Sequence, residues 1–328
     1  MHAMSSGTLL LLLLALLPLL SPHTYCADAV DSEPYAVLME FFESTQGSTW
    51  TQSWHWGNLS LSPCQWYGVC CNSTLAAEIS QLVLPNWKTG SFAGTSCAPN
   101  GTVTGLLLSD NGLSGTLPRS IGQLSNLFIL NVAFNTIEGE LPAEVAGLQK
   151  LEHLLIFFNR LTGNLSPLLG GLTNLKVFAG YLNRFNGVIP DSFGDLRCLE
   201  SLNLQGNTLS GAIPASLGNM TSLQKVLLSN NKLNGSIPTT IGQLVNLTLL
   251  DLSLNQLVGC IPGEIGELRA IVQIDLHLNS LGCSLPPELG NCENLQVLDL
   301  RSNMLLGSIP ATLGNLSRLS GLNLGTNL

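Results

Sequence analysis

Apolar residues return along this chain in a fixed frame of 24 residues. An asparagine marks the frame at Asn111, Asn135, Asn159, Asn183, Asn207, Asn231, Asn255, Asn279, Asn303 and Asn327, with no residue gained or lost between copies. Aliphatic residues stand three and five positions before each Asn and two after it. A Gly, an Ile/Leu-Pro pair and Leu-Gly-x-Leu follow; the clearest copy, Leu223 to Leu244, reads LQKVLLSNNKLNGSIPTTIGQL. In the segment LxLxxN, alternate side chains leave opposite faces of a short strand, so Leu250 and Leu252 face a core and their neighbours face water. Stacked copies pair these strands in parallel, about 4.8 Å apart, and each coil closes the apolar face of the next. The Asn falls where the strand turns outward. Its amide both donates and accepts, so a column of them satisfies backbone groups that a Leu would leave unpaired, at about 1–3 kcal/mol each. Gly four residues on admits a backbone conformation that a side chain resists, and Pro at the seventh position has no N–H to pair, which suits a return segment. About seven buried aliphatics at roughly 1.5–3 kcal/mol apiece do not offset the ordering of a whole repeat at about 1–2 kcal/mol per residue. A single repeat therefore cannot fold, and the stack needs caps.

The pattern changes upstream. Leu9 to Leu20 is an almost pure leucine run of twelve residues, too short to span a bilayer, followed by Ala27-Asp28-Ala29 with small residues at −3 and −1. This predicts a secretory signal peptide over 1–29. Ser32 to Ser44 reads as a short helix, with Pro34 in its first turn and Leu38, Phe41 and Phe42 on one stripe; Gly47 ends it. Trp50, Trp54, Trp56 and Trp66 then crowd together beside Cys64, Cys70 and Cys71. An aromatic and disulfide plug is what the open end of a solenoid requires. The cap is assigned to 30–78 and a solenoid of about ten repeats to 79–328. Ile79 to Leu84 is predicted as a joining strand, and Pro85 to Asn100, which lacks the IPxxLG element, as an irregular first coil.

Composition narrows the function classes. Only 10% of the 328 residues are charged and the net charge is −9, which argues against a grip on phosphate backbones. Nucleic acid is not an expected partner. No later stretch is apolar for 18 residues, so membrane attachment requires a C-terminal segment beyond Asn327-Leu328, where the sequence stops in mid-repeat without a second cap. Behind a signal peptide, eight cysteines remain: Cys64, Cys70, Cys71, Cys97, Cys198, Cys260, Cys283 and Cys292. Eight N-x-S/T sequons begin at Asn58, Asn72, Asn100, Asn164, Asn219, Asn234, Asn246 and Asn315, pointing to an extracellular glycoprotein. Cys283 takes the place of the repeat's Gly, one position out of phase with Cys260 in the preceding coil, which predicts a Cys260–Cys283 disulfide. Cys198 and Cys292 are read as buried and reduced.

The helix, the tryptophan cluster and C-x-W-x-G-V-x-C in Cys64 to Cys71 resemble the N-terminal cap of plant-type extracellular leucine-rich-repeat proteins, and LxxLxxLxLxxNxLxGxIPxxLGxL resembles their repeat. That group includes receptor-like kinases, receptor-like proteins and secreted inhibitors of cell-wall polygalacturonases. The resemblance covers Val30 to Leu328. It implies an α/β repeat solenoid, a right-handed superhelix with a parallel concave sheet and a disulfide-bonded cap, with ligand recognition on the inner face. It also implies that Cys64 pairs with Cys71, leaving Cys70 and Cys97 as a candidate second bridge; sequence alone does not fix the connectivity.

Outward strand residues carry the information that the scaffold positions lack. In the second to fourth clean repeats they include Ile129, Phe134, His153, Leu155, Phe157, Phe158, Val177, Tyr181 and Leu182, an aromatic and aliphatic patch expected to be exposed and to bind a ligand. Two departures fall nearby: Ser166-Pro167 shifts the repeat's Pro by one place, and Gly180 replaces a core aliphatic. The competing reading is that Phe134 and Phe158 only fold over the turn. Replacing Tyr181 and Phe157 together by Ala is expected to weaken binding with little change in melting temperature. A second lane is acidic: Asp251, Asp275 and Asp299 hold one place in three successive strands, flanked by His277 and Arg301, and suit a cation or a basic ligand segment, or simply remain solvated. Motifs for catalysis, G-x-S-x-G, HExxH, a Walker loop or a kinase signature, are not found, so neither enzyme activity nor a cofactor is expected. The leading expectation is a secreted or cell-surface module that binds a protein or peptide, with a co-receptor or a cell-wall enzyme as further partners. The alternatives are an inhibitor of a wall hydrolase, such as polygalacturonase, and a structural or adhesion protein.

Overall fold

The computed structural model describes residues 33–71 and 102–328. The leader at 1–29, the joining strand at 79–84, the irregular coil at 85–100, the sequons at Asn72 and Asn100, Cys97 and the 78/79 boundary lie outside the described residues. Glu33–Leu328 is one compact unit.

Eleven short strands form the inner sheet: Val69–Cys70, Gly105–Leu107, Ile129–Asn131, His153–Leu155, Val177–Ala179, Ser201–Asn203, Lys225–Leu227, Leu249–Asp251, Gln273–Asp275, Val297–Asp299 and Gly321–Asn323. The first pairs antiparallel with the second, and every later pair is parallel. Ile129, His153, Val177 and Ser201 are cross-strand partners, so the frame of the sequence is the register of the sheet. The central residue of each three-residue strand but the last, such as Leu130, Leu154, Leu202 and Leu250, is buried, as the alternation predicts, whereas Leu322 in the last strand is 44% exposed.

The return segments build two smaller parallel sheets. One joins Ser114–Thr116, Thr136–Glu140 and Arg160–Thr162; the other joins Ser210–Ala212, Lys232–Gly235, Gln256–Cys260 and Ser280–Gly282. Between them lies a single bridge, Asn164 to Asn186. Pro then caps a five-residue 3₁₀ helix in most coils, as Pro238 does for Thr239–Gln243. Where the sequence reads Ser166-Pro167, the Ser takes the capping place, accepts the Leu168 N–H at 3.3 Å, and leaves Pro167 as the first helical residue. Pro has no N–H to lose there, so the displaced Pro leaves the frame intact. Gly180 is compensated as well: a Cβ there would press on a Leu204 methyl and the rings of Phe178 and Phe185, which already fill the space.

The asparagine column ties coil to coil. Asn207 Oδ1 accepts the Phe185 N–H at 3.0 Å, while its Nδ2 donates to Gly180 O at 3.1 Å and Leu204 O at 3.0 Å. The same pattern repeats from Asn135 to Asn327. Asn111 binds the cap instead, accepting from Gln52 N at 2.7 Å and donating to Gln52 O at 2.9 Å. The residue just before each Asn is left-handed. At nine of these ten positions it is not glycine: φ is 55° at Phe134, 51° at Phe158, 53° at Leu182, 54° at Leu254 and 52° at Leu278. Gly206, with φ 65°, is the exception.

The cap follows the sequence reading. A helix spans Glu33–Ser44, with Val37, Leu38 and Phe41 buried against the solenoid core. Phe42 stacks on Trp56 at 5.6 Å and Trp56 leans on Trp66 at 5.2 Å. Trp54 differs from its neighbours and projects into solvent.

Candidate functional site

The outward residues of the inner sheet divide into an aromatic half and an acidic half. In the aromatic half, Phe157 stacks on Tyr181 with ring centroids 4.4 Å apart and planes 8° apart, and Phe134 stacks on Phe158 at 4.8 Å and 16°. Contacts between these pairs join them into one group, including Phe134 on Phe157 at 5.1 Å.

Burial corrects the expectation of a wholly exposed patch. Ile129, Leu155, Phe157 and Val177 are buried with Cys70, Leu107, Ala133 and Ala179 in a second apolar cluster, with Tyr181 packed against it. Large side chains on strands about 4.8 Å apart lean on one another, so a row read as surface becomes a second layer. The open portion is a rim. Phe134, Phe158 and Leu182 are 39%, 42% and 39% exposed, each on its left-handed residue, and Tyr181 is half-buried. The paired replacement of Phe157 and Tyr181 therefore does not leave stability unchanged, because removing a buried aromatic costs about 3–5 kcal/mol.

His153 lies buried in the same face, 1% exposed, and neither ring nitrogen has a hydrogen-bond partner. Burial lowers its pKa below the ordinary histidine value; Glu152 opposes this and Lys176 reinforces it. Those two neighbours form a cross-strand ion pair at 2.8 Å, one place outside the positions read as functional. Their juxtaposition follows from their 24-residue separation. Burial likewise raises the Tyr181 phenol above its ordinary value.

In the acidic half, Asp251, Asp275 and Asp299 are in register. Each holds the amide two residues on: Ser253 at 3.1 Å, His277 at 3.2 Å and Arg301 at 3.1 Å. His277 Nδ1 lies 2.6 Å from Asp275 Oδ1, and Arg301 Nε 3.5 Å from Asp299 Oδ2.

Disulfides join Cys64 to Cys71 and Cys260 to Cys283, with Cα atoms 5.6 and 5.2 Å apart. Cys283 keeps the left-handed φ, 63°, of the Gly it replaces. Cys292 is buried, its thiol donates to Ile265 O at 3.4 Å, and burial pushes its pKa up to about 11. Cys198 is exposed rather than buried, because it sits on the outward side of the loop that follows a 3₁₀ helix. The described sequons Asn58, Asn164, Asn219, Asn234, Asn246 and Asn315 are all exposed, and none lies in an inner-sheet strand.

Leucine-rich-repeat family models match residues 181–233, and 102–124, 246–268 and 294–316. The repeats thus match leucine-rich-repeat models over part of the chain, and the fold, a repeat solenoid with a disulfide-bonded cap, is similar to that of plant leucine-rich-repeat ectodomains. It is 39% identical over 81 residues, 25% of this chain, to the leucine-rich repeat receptor-like serine/threonine-protein kinase RGI4 of Arabidopsis thaliana. The chain spans 7% of the length of that relative. Its fold is similar to the ectodomain of the receptor kinase GASSHO1/SCHENGEN3 of Arabidopsis thaliana, solved in complex with CASPARIAN STRIP INTEGRITY FACTOR 2. The TM-score is 0.79 at 30% identity, over 89% of this chain and 32% of that one. It is also similar to the Arabidopsis receptor kinase HAESA, solved with the peptide hormone IDA and the co-receptor SERK1, with a TM-score of 0.64 at 31% identity over 91% of this chain and 50% of that one. The inner sheet is thus the concave face of a right-handed leucine-rich-repeat solenoid. Among the described residues no helix is long and apolar enough to cross a membrane.

Proposed function

We propose that this chain is an extracellular recognition module that binds a peptide or small protein along its concave face, in the manner of a receptor ectodomain. The observation that carries this reading is the rim of Phe134, Phe158 and Leu182 above the stacked pair Phe157 and Tyr181. Aromatic side chains presented on a rigid sheet are effective anchors, because little side-chain entropy is lost when they are covered. Ile129, His153, Leu155 and Val177 support the rim from below, and Asp251, Asp275, His277, Asp299 and Arg301 give the far end of the same face its charge. The sequons support the choice of face, since glycans at the six described positions would leave the concave strands open. The CASPARIAN STRIP INTEGRITY FACTOR 2 bound by GASSHO1/SCHENGEN3, and the peptide hormone IDA and co-receptor SERK1 bound by HAESA, support the class of partner. Secretion and glycosylation belong to the same proposal.

The test compares wild type with a Phe134→Ala/Phe158→Ala variant for binding to a panel of synthetic peptides of about 10–20 residues, by biolayer interferometry. Selective binding by wild type that the variant loses, while circular dichroism shows the variant folded at the assay temperature, supports the reading. Equal binding by both removes the rim from it, and inhibition of polygalacturonase by both moves the function to the inhibitor class.

A further inference from the structure

We propose that Asp275, His277 and Asp299 form a binding site for a borderline divalent cation, Zn²⁺ or Mn²⁺, on the concave face. Asp275 and His277 are two residues apart on one strand and project from the same side, and Asp299 is the in-register partner of Asp275 on the next strand. One donor atom from each lies within 4.8 Å of the other two. Donors at about 2.0–2.2 Å from one metal stand roughly 3 Å or slightly more apart, so small rotations close the triangle.

The donor set selects the ion. One imidazole nitrogen with two carboxylate oxygens suits Zn²⁺ or Mn²⁺ better than the all-oxygen preference of Ca²⁺. In the neighbouring coils the position of His277 is filled by Ser229, Ser253 and Arg301, so this combination does not recur along the acidic column.

The support around the ligands is of the kind a metal site needs. The backbone N–H of His277 is held by Asp275 Oδ1 and that of Arg301 by Asp299 Oδ1, which fixes the direction of each carboxylate; the second oxygen of Asp275 is left open, and that of Asp299 faces the Arg301 guanidinium. The side chains are 13–19% exposed, shielded enough to lower competition from water yet open toward the concave channel. The Cys260–Cys283 bridge staples the coil that carries Asp275 and His277 to the coil before it. Two groups must give way. The hydrogen bond between His277 Nδ1 and Asp275 Oδ1 opens, with the neutral imidazole carrying its proton on Nε2 when Nδ1 faces the cation, and the half-exposed Arg301 guanidinium swings off Asp299. Three protein ligands leave at least one coordination position facing the channel, where a carboxylate or imidazole of a bound partner would complete the shell.

The experiment is calorimetric titration of the untagged, folded glycoprotein with ZnCl₂ and, separately, MnCl₂. One saturable site is expected for wild type, weakened about tenfold or more in both His277→Gln and Asp299→Asn, unchanged in Glu288→Gln on the opposite side of the coil, and tightened in Arg301→Ala. Circular dichroism of the metal-free variants establishes that each is folded. Absence of a saturable site for both ions, or a site that His277→Gln leaves unaltered, overturns the proposal. Because the titration contains no peptide, its result is independent of the recognition function.

Discussion

Replacing Asn207 by Ala separates the work of the asparagine column into parts that can be counted. The side chain satisfies the Phe185 N–H and donates to Gly180 O and Leu204 O, with a longer contact to Gln205 O at 3.4 Å. The carbonyls are doubly served: Asn183 also donates to Gly180 O at 3.2 Å, and Asn231 to Leu204 O at 3.0 Å. Asn207→Ala therefore orphans one buried donor, at about 1–3 kcal/mol, and halves the satisfaction of two acceptors, for a total of about 2–4 kcal/mol. Asn231→Ala costs a similar amount through Leu209 N–H. The double variant is worse than the sum, because Leu204 O then loses both donors; the excess is about 1–3 kcal/mol. Asn207→Ala with Asn255→Ala shares no carbonyl and is additive within about 0.5 kcal/mol. Urea unfolding followed by circular dichroism, with slopes that match across variants, gives the four free energies, and amide exchange at Phe185 and Leu209 localises them. Additivity of the adjacent pair, or a cost below about 0.5 kcal/mol for Asn207→Ala, would refute the account.

Three further outcomes follow from the same face. His153→Leu raises stability at pH 7 by about 1 kcal/mol, since it replaces a buried imidazole without partners by an apolar side chain; urea midpoints measure it. Because the folded pKa of His153 is depressed, the unfolded chain binds more protons below about pH 6.5, so wild type loses stability as pH falls from there toward the folded value, and the variant lacks that part of the slope. Leu278→Asn at the exposed left-handed position, φ 52°, gains about 0.5–1 kcal/mol by thermal unfolding, since Asn tolerates this conformation better than Leu. Each of Phe134→Ala and Phe158→Ala lowers the melting temperature less than Phe157→Ala does, since the rim rings are 39% and 42% exposed, whereas the buried Phe157 costs about 3 kcal/mol or more.

Much of the architecture was legible because the period of the sequence is the register of the sheet: knowing that Asn207 and Asn231 are 24 apart is knowing that they are neighbours. The Cys260–Cys283 bridge and the Asp251, Asp275, Asp299 column follow from the same arithmetic. What the arithmetic does not contain is depth. It assigns Ile129, Leu155, Phe157 and Val177 to an outward column, but whether an outward residue is surface depends on the bulk of its neighbours, and Phe157 against Tyr181 closes over space that Ser201 and Asn203 would have left open. Local substitutions were hard to read for a related reason. Ser166-Pro167 and Gly180 break the consensus, yet a serine cap and two phenylalanines restore the geometry, so a broken spelling was not a broken structure.

The uniform coil also makes this face a ruler. From the strand of His153 to the strand of Asp275 there are five steps of the sheet, about 24 Å, which an extended chain crosses in roughly seven residues. On the proposed reading, the interval between an aromatic anchor and a charged one changes only in whole coils, so each duplication or deletion of a repeat would reset the preferred ligand length by about one and a half residues while leaving both ends untouched.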